Sequence, residues 1–217
     1  MNPYEIQTAE GRLKLCKRAF DALLSSYENL QSDIGEAADF ETHWLDFLVQ
    51  WKGVYSKIQQ AAKDSPAEIQ WFGAVNQERR RDPLLRWLFE ARNDAEHGLG
   101  RTTSRIGHNI YLGPASGESG VFDVRFGDGG IEVVRSDGSV VENAYTVEAM
   151  PVHLVAVSER DGIRKVEPPT EHFGKSIDRS PIVAAELGFN WLASLVKTAE
   201  AMMMLQADEL STPATNR

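Results

Sequence analysis

Phe40-Glu41-Thr42-His43-Trp44-Leu45-Asp46-Phe47-Leu48-Val49-Gln50-Trp51-Lys52-Gly53-Val54-Tyr55-Ser56-Lys57-Ile58 decides how this chain folds. Phe40, Trp44, Phe47, Leu48, Trp51, Val54, Tyr55 and Ile58 recur at helical spacing, and polar residues fill the opposite face. Such a stripe is the mark of an amphipathic helix laid against a core. Its bulky aromatics fit one buried stripe, so they read as core and not as a platform for stacking bases. Upstream, Leu13, Cys16, Phe20, Leu23, Leu24, Tyr27 and Leu30 repeat the pattern.

Helix starts punctuate the next part of the chain. In Ser65-Pro66-Ala67-Glu68 the serine caps, the proline suits the first helical position and the glutamate is placed to close a capping box. A short helix through about Val75 is expected there. Asp82-Pro83 opens the next helix by the same logic, and Gly98 is a candidate left-handed stop. After residue 99 the texture changes to Gly, Ser and Thr. Short alternating runs come next, from Val121 to Phe126, Ile131 to Arg135, Val140-Val141 and Val152 to Val157, with turns at Gly127-Asp128-Gly129-Gly130 and Asp137-Gly138. These predict three to five antiparallel strands in a meander. Residues 158–180 read as irregular. Ser180-Pro181 starts a last helix whose Ile182, Ala185, Phe189, Leu192, Val196, Ala199 and Met203 form a narrow seam. That seam suits either a buried bundle helix or a dimer contact. The expected fold is α+β in a single domain, 1–217. A helical bundle of 4–98 and 181–207 holds a small antiparallel β insertion at about 105–158.

Composition sets the outer limits. The chain has 217 residues, 42% hydrophobic and 25% charged. These proportions suit a globular domain and exclude a mostly disordered or disulfide-framework protein. No apolar run reaches the ~20 residues of a membrane span, and Met1-Asn2-Pro3-Tyr4-Glu5 does not open a signal peptide. The one cysteine, Cys16, fits a reducing, cytoplasmic setting. A net charge of −9 argues against charge-driven nucleic-acid binding over the whole surface, yet the window Arg79–Arg105 alone carries +3. By itself such a run is a solvated face.

The chemistry concentrates in residues 82–98. On a helical wheel with Leu84 at the origin, Leu88 falls at about 40° and Ala95 at about 20°. Arg92 falls at about 80°, inside the apolar stripe. Asn93, at about 180°, and His97, at about 220°, share a flank. An arginine on a buried face is costly unless it is paired or meets a ligand or partner. One account is an internal ion pair with Glu96, four residues on, with His97 favoured by the helix dipole.

The other account is a resemblance. Arg92-Asn93-Asp94-Ala95-Glu96-His97 resembles the Arg-x4–6-His motif of the HEPN superfamily, helical-bundle domains many of which are metal-independent ribonucleases of toxin–antitoxin, abortive-infection and CRISPR systems. The helical context, the polar residue after the arginine and the late position in the helix match, over about half the chain. The strand-rich segment after the motif departs from the minimal bundle. The resemblance implies catalytic residues Arg92, His97 and Asn93, with His97 as acid/base, Arg92 as phosphate clamp and Asn93 as positioning donor. Arg86, Arg101 and Arg105 would bind substrate. It implies no metal and no cofactor, an RNA substrate, a homodimer that brings two motifs together, an antitoxin protein as partner, and no membrane. Two alternatives stay open. One is a non-catalytic HEPN-like protein that binds nucleotide or RNA, or another protein. The other is an interaction protein whose Arg92 merely pairs with Glu96.

Other signals point nowhere specific. His108, His153 and His172 are scattered singly without zinc spacing. Gly98-Leu99-Gly100 lacks the lysine and preceding strand of a phosphate loop. Ser116 and Ser119 lie in a Gly-rich loop without a nucleophile elbow.

Overall fold

A computed structural model describes residues 1–32, 37–96, 102–104, 108–112, 122–127, 130–141, 145–149, 152–159 and 163–211. Five helices dominate the described residues: α1 (Pro3–Ser32), α2 (Ala37–Ala61), α3 (Pro66–Arg81), α4 (Pro83–Glu96) and α5 (Pro181–Ser211). Ten short strands accompany them: β1 (Thr103–Ser104), β2 (His108–Leu112), β3 (Phe122–Gly127), β4 (Gly130–Arg135), β5 (Tyr145–Ala149), β6 (His153–Leu154), β7 (Val157–Ser158), β8 (Lys165–Val166), β9 (Glu171–His172) and β10 (Lys175–Ser176). The protein is mostly helical with small antiparallel sheets. The chain divides into two compact units, Met1–Ser104 with Val152–Arg217, and Arg105–Pro151. No described helix is long and apolar enough to cross a membrane.

The first unit is built on the α2 stripe. All eight of its apolar residues are buried, as their spacing predicts. Trp51 stacks on Trp191 at 5.9 Å and Tyr55 packs against Phe72 at 5.3 Å, tying α2 to α5 and α3. Four indole N–H groups each reach a different part of the chain. Trp44 donates to the Thr102 hydroxyl at 2.9 Å, Trp51 to the Gly188 carbonyl at 2.9 Å, Trp87 to the Val155 carbonyl at 3.0 Å and Trp191 to Glu78 at 2.7 Å. A buried indole thereby fixes direction as well as burying area. The α5 seam is filled inside the chain: Ala185, Leu192, Val196 and Ala199 are buried, and α5 packs on α1 and α2. Cys16 lies in this core, where burial pushes its thiol up to about 12 and keeps it protonated.

Several local expectations change. Helix α3 runs on past Val75 to Arg81, because the apolar positions Phe72 and Val75 continue onto Arg79, which is buried. Glu68 does not close a capping box. Ser65 caps its amide at 3.3 Å, but the Glu68 carboxylate accepts from the Asp64 amide at 3.2 Å and from the Met1 amino group. Among the described residues the strands make five two-stranded ladders, and only β3, β4 and the bridge at Val140 follow one another as the expected meander does. Val152–Ser158 belongs to the helical unit, where Leu154 N–H bonds the Arg179 carbonyl at 3.1 Å and Val155 N–H the Thr102 carbonyl at 3.2 Å. Residues 158–180, expected to be irregular, hold β8, β9 and β10. Gly98 lies outside the described residues.

In the second unit β3 and β4 form a hairpin, Phe122 opposite Arg135 and Gly127 opposite Gly130. The bridge Val134–Val140 extends it around a turn in which Gly138 takes φ 85°, a left-handed conformation suited to glycine. Strands β2 and β5, which flank that hairpin in sequence, pair with each other, His108 opposite Ala149. Val133 and Val141 make a small buried cluster.

The α2–α5 crossing depends on Gly188. A Cβ there would stand 2.5 Å from a Leu88 methyl and 3.1 Å from the Trp51 indole nitrogen, both buried. Gly188→Ala is expected to lower stability by about 1–2 kcal/mol despite the better helix propensity of alanine, because overpacking outweighs that gain. Urea unfolding monitored by tryptophan fluorescence checks it; a raised midpoint would show that the crossing relaxes freely.

Candidate functional site

Helix α4 carries the motif, and its start is set by Asp82. The residue before a proline is pushed out of the helical region, and Asp82 at φ −72°, ψ 123° ends α3 one residue before α4 begins. Its carboxylate then caps α4, accepting from the Leu85 amide at 2.9 Å. The same carboxylate accepts from the Phe173 amide at 2.7 Å and from His172 Nδ1 at 3.0 Å. Because an ionised carboxylate only accepts, Nδ1 carries the proton. This holds the β9–β10 turn, where Phe173 (φ 47°) and Gly174 (φ 74°) are both left-handed. His172, a lone histidine in the sequence, therefore belongs to a structural clamp.

Along α4, Leu84, Leu85, Trp87, Leu88 and Ala91 are buried within the chain. α2 and α5 pack against this stripe within the chain. Arg92 sits at the stripe's edge with its side chain 20% exposed. It forms an ion pair with Glu96, whose side chain is 51% exposed. Its Nε is buried and has no hydrogen-bond partner among the described residues. Asn93 lies on the other flank. Its oxygen accepts from Lys52 Nζ and its amide donates to Glu90 at 3.1 Å. Arg86, on that same flank, is paired with Glu159 and half exposed. Helix geometry thus brings Arg86 and Asn93 to one side and leaves Arg92 on another. His97, Arg101 and Arg105 lie outside the described residues.

Two residues that sequence reasoning passed over are central here. Asp94 is buried, accepting from the Ser158 amide at 3.0 Å through Oδ2, while Oδ1 has no partner among the described residues. The available signal was its wheel position at about 280°, beside Trp87. Arg79, 6% exposed, is the other. Its guanidinium lies 3.9 Å from the Phe89 ring centre and 5.9 Å from that of Tyr55, and it donates to Asn76 at 3.3 Å. Its signal was the phase of Phe72 and Val75.

Arg79 lines a cleft of about 750 Å³ between α2, α3 and α4, with Lys52, Arg80, Arg86, Glu90 and Arg164 also on its walls. Burial raises the Tyr55 phenol there, and the positive charges of Arg79 and Arg80 partly offset that rise. No protein-family model, curated protein or solved structure matches this chain.

Removing the Asp82 carboxylate takes away a helix cap and two ties to the β9–β10 turn. Asp82→Ala is expected to lose about 2–3 kcal/mol of stability and to open the chain to limited proteolysis near Phe173. An unchanged melting temperature together with an uncut turn would show that the clamp contributes nothing.

Proposed function

We propose that this chain is a HEPN-like protein acting on RNA, a metal-independent endoribonuclease of the toxin–antitoxin or phage-defence kind. His97 serves as acid/base, Arg92 as phosphate clamp and Asn93 as positioning donor. Arg86, Arg101 and Arg105 track the substrate backbone. The observation that supports this reading is the state of Arg92. Its side chain is largely buried, its Nε has no partner among the described residues, and its counter-ion Glu96 is half exposed. A solvent-facing i,i+4 pair is weak, worth about 0.3–0.5 kcal/mol. A phosphate, which meets the guanidinium fork with two parallel hydrogen bonds, displaces such a partner readily.

The chemistry uses the RNA's own 2′-hydroxyl. Its oxygen attacks the adjacent phosphorus, the bond to the 5′-oxygen breaks, and a 2′,3′-cyclic phosphate and a 5′-hydroxyl result. A histidine takes the proton from the attacking hydroxyl, or gives one to the leaving oxygen. An arginine stabilises the charge that grows on the phosphoryl oxygens. One motif supplies one histidine, so both transfers call for a second copy in a two-fold dimer. With the apolar stripe of α4 already covered, that contact would fall on the exposed side of the Arg92–Glu96 pair. An antitoxin protein would mask the same side.

A second reading is a non-catalytic RNA- or nucleotide-binding protein. It is favoured by the contacts that already occupy the motif, Lys52 on Asn93 and Glu96 on Arg92.

A labelled single-stranded RNA panel in chelator, with melts and sedimentation of each protein, separates the two. The wild type is expected to be a dimer at micromolar concentration and to cut RNA without metal. His97→Ala should lower the rate about 10²–10⁴-fold with folding intact. Arg92→Ala should abolish cleavage and also cost about 1–3 kcal/mol of stability. Arg92→Lys should not rescue, since an ammonium lacks the planar fork. A wild type that cuts no RNA puts the binding reading first. Equal cleavage by wild type and His97→Ala overturns the catalytic assignment.

A further inference from the structure

We infer that the cleft between α2, α3 and α4 is a phosphate-binding site, taking a di- or oligophosphate group on a ligand of about nucleotide size. It holds whether or not the chain cuts RNA. Three observations carry it.

The first is Arg79. A guanidinium taken out of water needs an anion, because its desolvation is large and only a close, well-hydrogen-bonded counter-charge offsets it. Arg79 is 6% exposed, yet among the described residues no carboxylate lies within ion-pair distance of it. Its neighbours are the faces of Phe89 and Tyr55 and the side-chain oxygen of Asn76. Its Nε has no hydrogen-bond partner among the described residues. The rings support the cation without neutralising it. A buried, donor-rich, uncompensated guanidinium that lines a cavity is a half-built anion site.

The second is the company it keeps. Among the described residues Lys52, Arg79, Arg80, Arg86 and Arg164 share the cleft lining with two acids, Glu90 and Glu159, a formal +3 for that lining in a chain of −9. Both carboxylates are already engaged, Glu159 by Arg86 and Glu90 by the Asn93 amide. Like charges gathered in one concave site repel each other and raise its positive potential. A dianion relieves that repulsion, and arginine forks match phosphoryl oxygens in pairs.

The third is size. A volume of about 750 Å³ is far more than one phosphate fills, and lies in the range of sites for small organic ligands, about 300–1,000 Å³. Ser56, Gln59 and Asn76 add neutral hydrogen-bonding groups to the walls, suited to a sugar or base edge. The aromatic faces are not free for stacking, since Arg79 and Lys52 cover Phe89. Recognition therefore runs through phosphate first.

Calorimetric titration of the full chain with pyrophosphate and with ADP tests this, using wild type, Arg79→Gln, Arg80→Gln, Arg86→Gln and, as control, the exposed Lys175→Gln. Saturable binding is expected in wild type and in the control. Each cleft variant should bind about tenfold or more weakly. Arg79 is buried, so should its variant fail to fold, Arg80→Gln and Arg86→Gln on the cleft walls carry the test. Tighter binding of ADP than pyrophosphate identifies a nucleotide site; equal binding identifies an oligophosphate site, and both support the inference. No saturable binding of either probe, or binding unchanged in both Arg80→Gln and Arg86→Gln, overturns it. Binding without RNA cleavage leaves this site standing while the ribonuclease reading falls.

Discussion

The helical unit turns on Asp82. Pro83 pushes the residue before it out of the helical region, so α3 must stop. The carboxylate of Asp82 caps the helix beyond it and grips the β9–β10 turn. A corner made by one residue leaves no slack, and α4 must leave α3 at a fixed direction. Arg79 and Arg80 near the end of α3 then line one cleft with Arg86 and Phe89 of α4. The basic cleft is a consequence of that corner. Each of its walls is in turn held by an indole: Trp51 fixes α5 against α2, Trp191 holds Glu78 on α3, and Trp87 ties α4 to Val155.

The helices were legible because their information is local. The α2 stripe repeats within a few residues, and every member of it is buried. The Asp82-Pro83 and Ser65-Pro66 starts state their own geometry. What stayed hidden depends on partners far along the chain. Nothing near Glu78 announces that Trp191, 113 residues away, donates to it, and so α3 looked finished at Val75. Nothing near His153 shows that β6 pairs with β1, with the whole second unit between them in sequence. Alternation identified β3 and β4, but a pattern of period two does not name the pairing partner, and β2 pairs with β5 from either side of that hairpin.

The site was legible in a different proportion. Helical phase put Arg92 inside the apolar stripe, four residues from Glu96; the ion pair is present, but Arg92 sits at the stripe's edge. The same arithmetic applied to Asp94 gives a buried acid, a position that a search for misplaced cations passes over. The lining of the cleft was beyond reach of spacing altogether, since Lys52, Arg79, Arg86 and Arg164 meet only once three helices and the segment before β8 are packed.

The arginines at 79–81 have two explanations of different strength. The end of α3 carries partial negative charge on its free carbonyls, and cations in the last turn are stabilised there by about 0.3–1 kcal/mol each. That accounts for three arginines in a row. It does not account for one of them being turned inward, since a solvated guanidinium gains the same interaction without losing its water. Folding placed Arg79 against Phe89 with the Asn76 oxygen as its acceptor, and gave the two nearby acids to other partners. A core position filled by a charge is stable when the charge is answered. Among the described residues no carboxylate answers it, and that is the ground for the proposed phosphate ligand. The polar flank of α4, where Asn93 is held by Lys52, borders that same cleft. The proposed phosphate cleft and the Asn93 flank of α4 therefore share one wall, while the Arg92–Glu96 pair lies on another side of the helix.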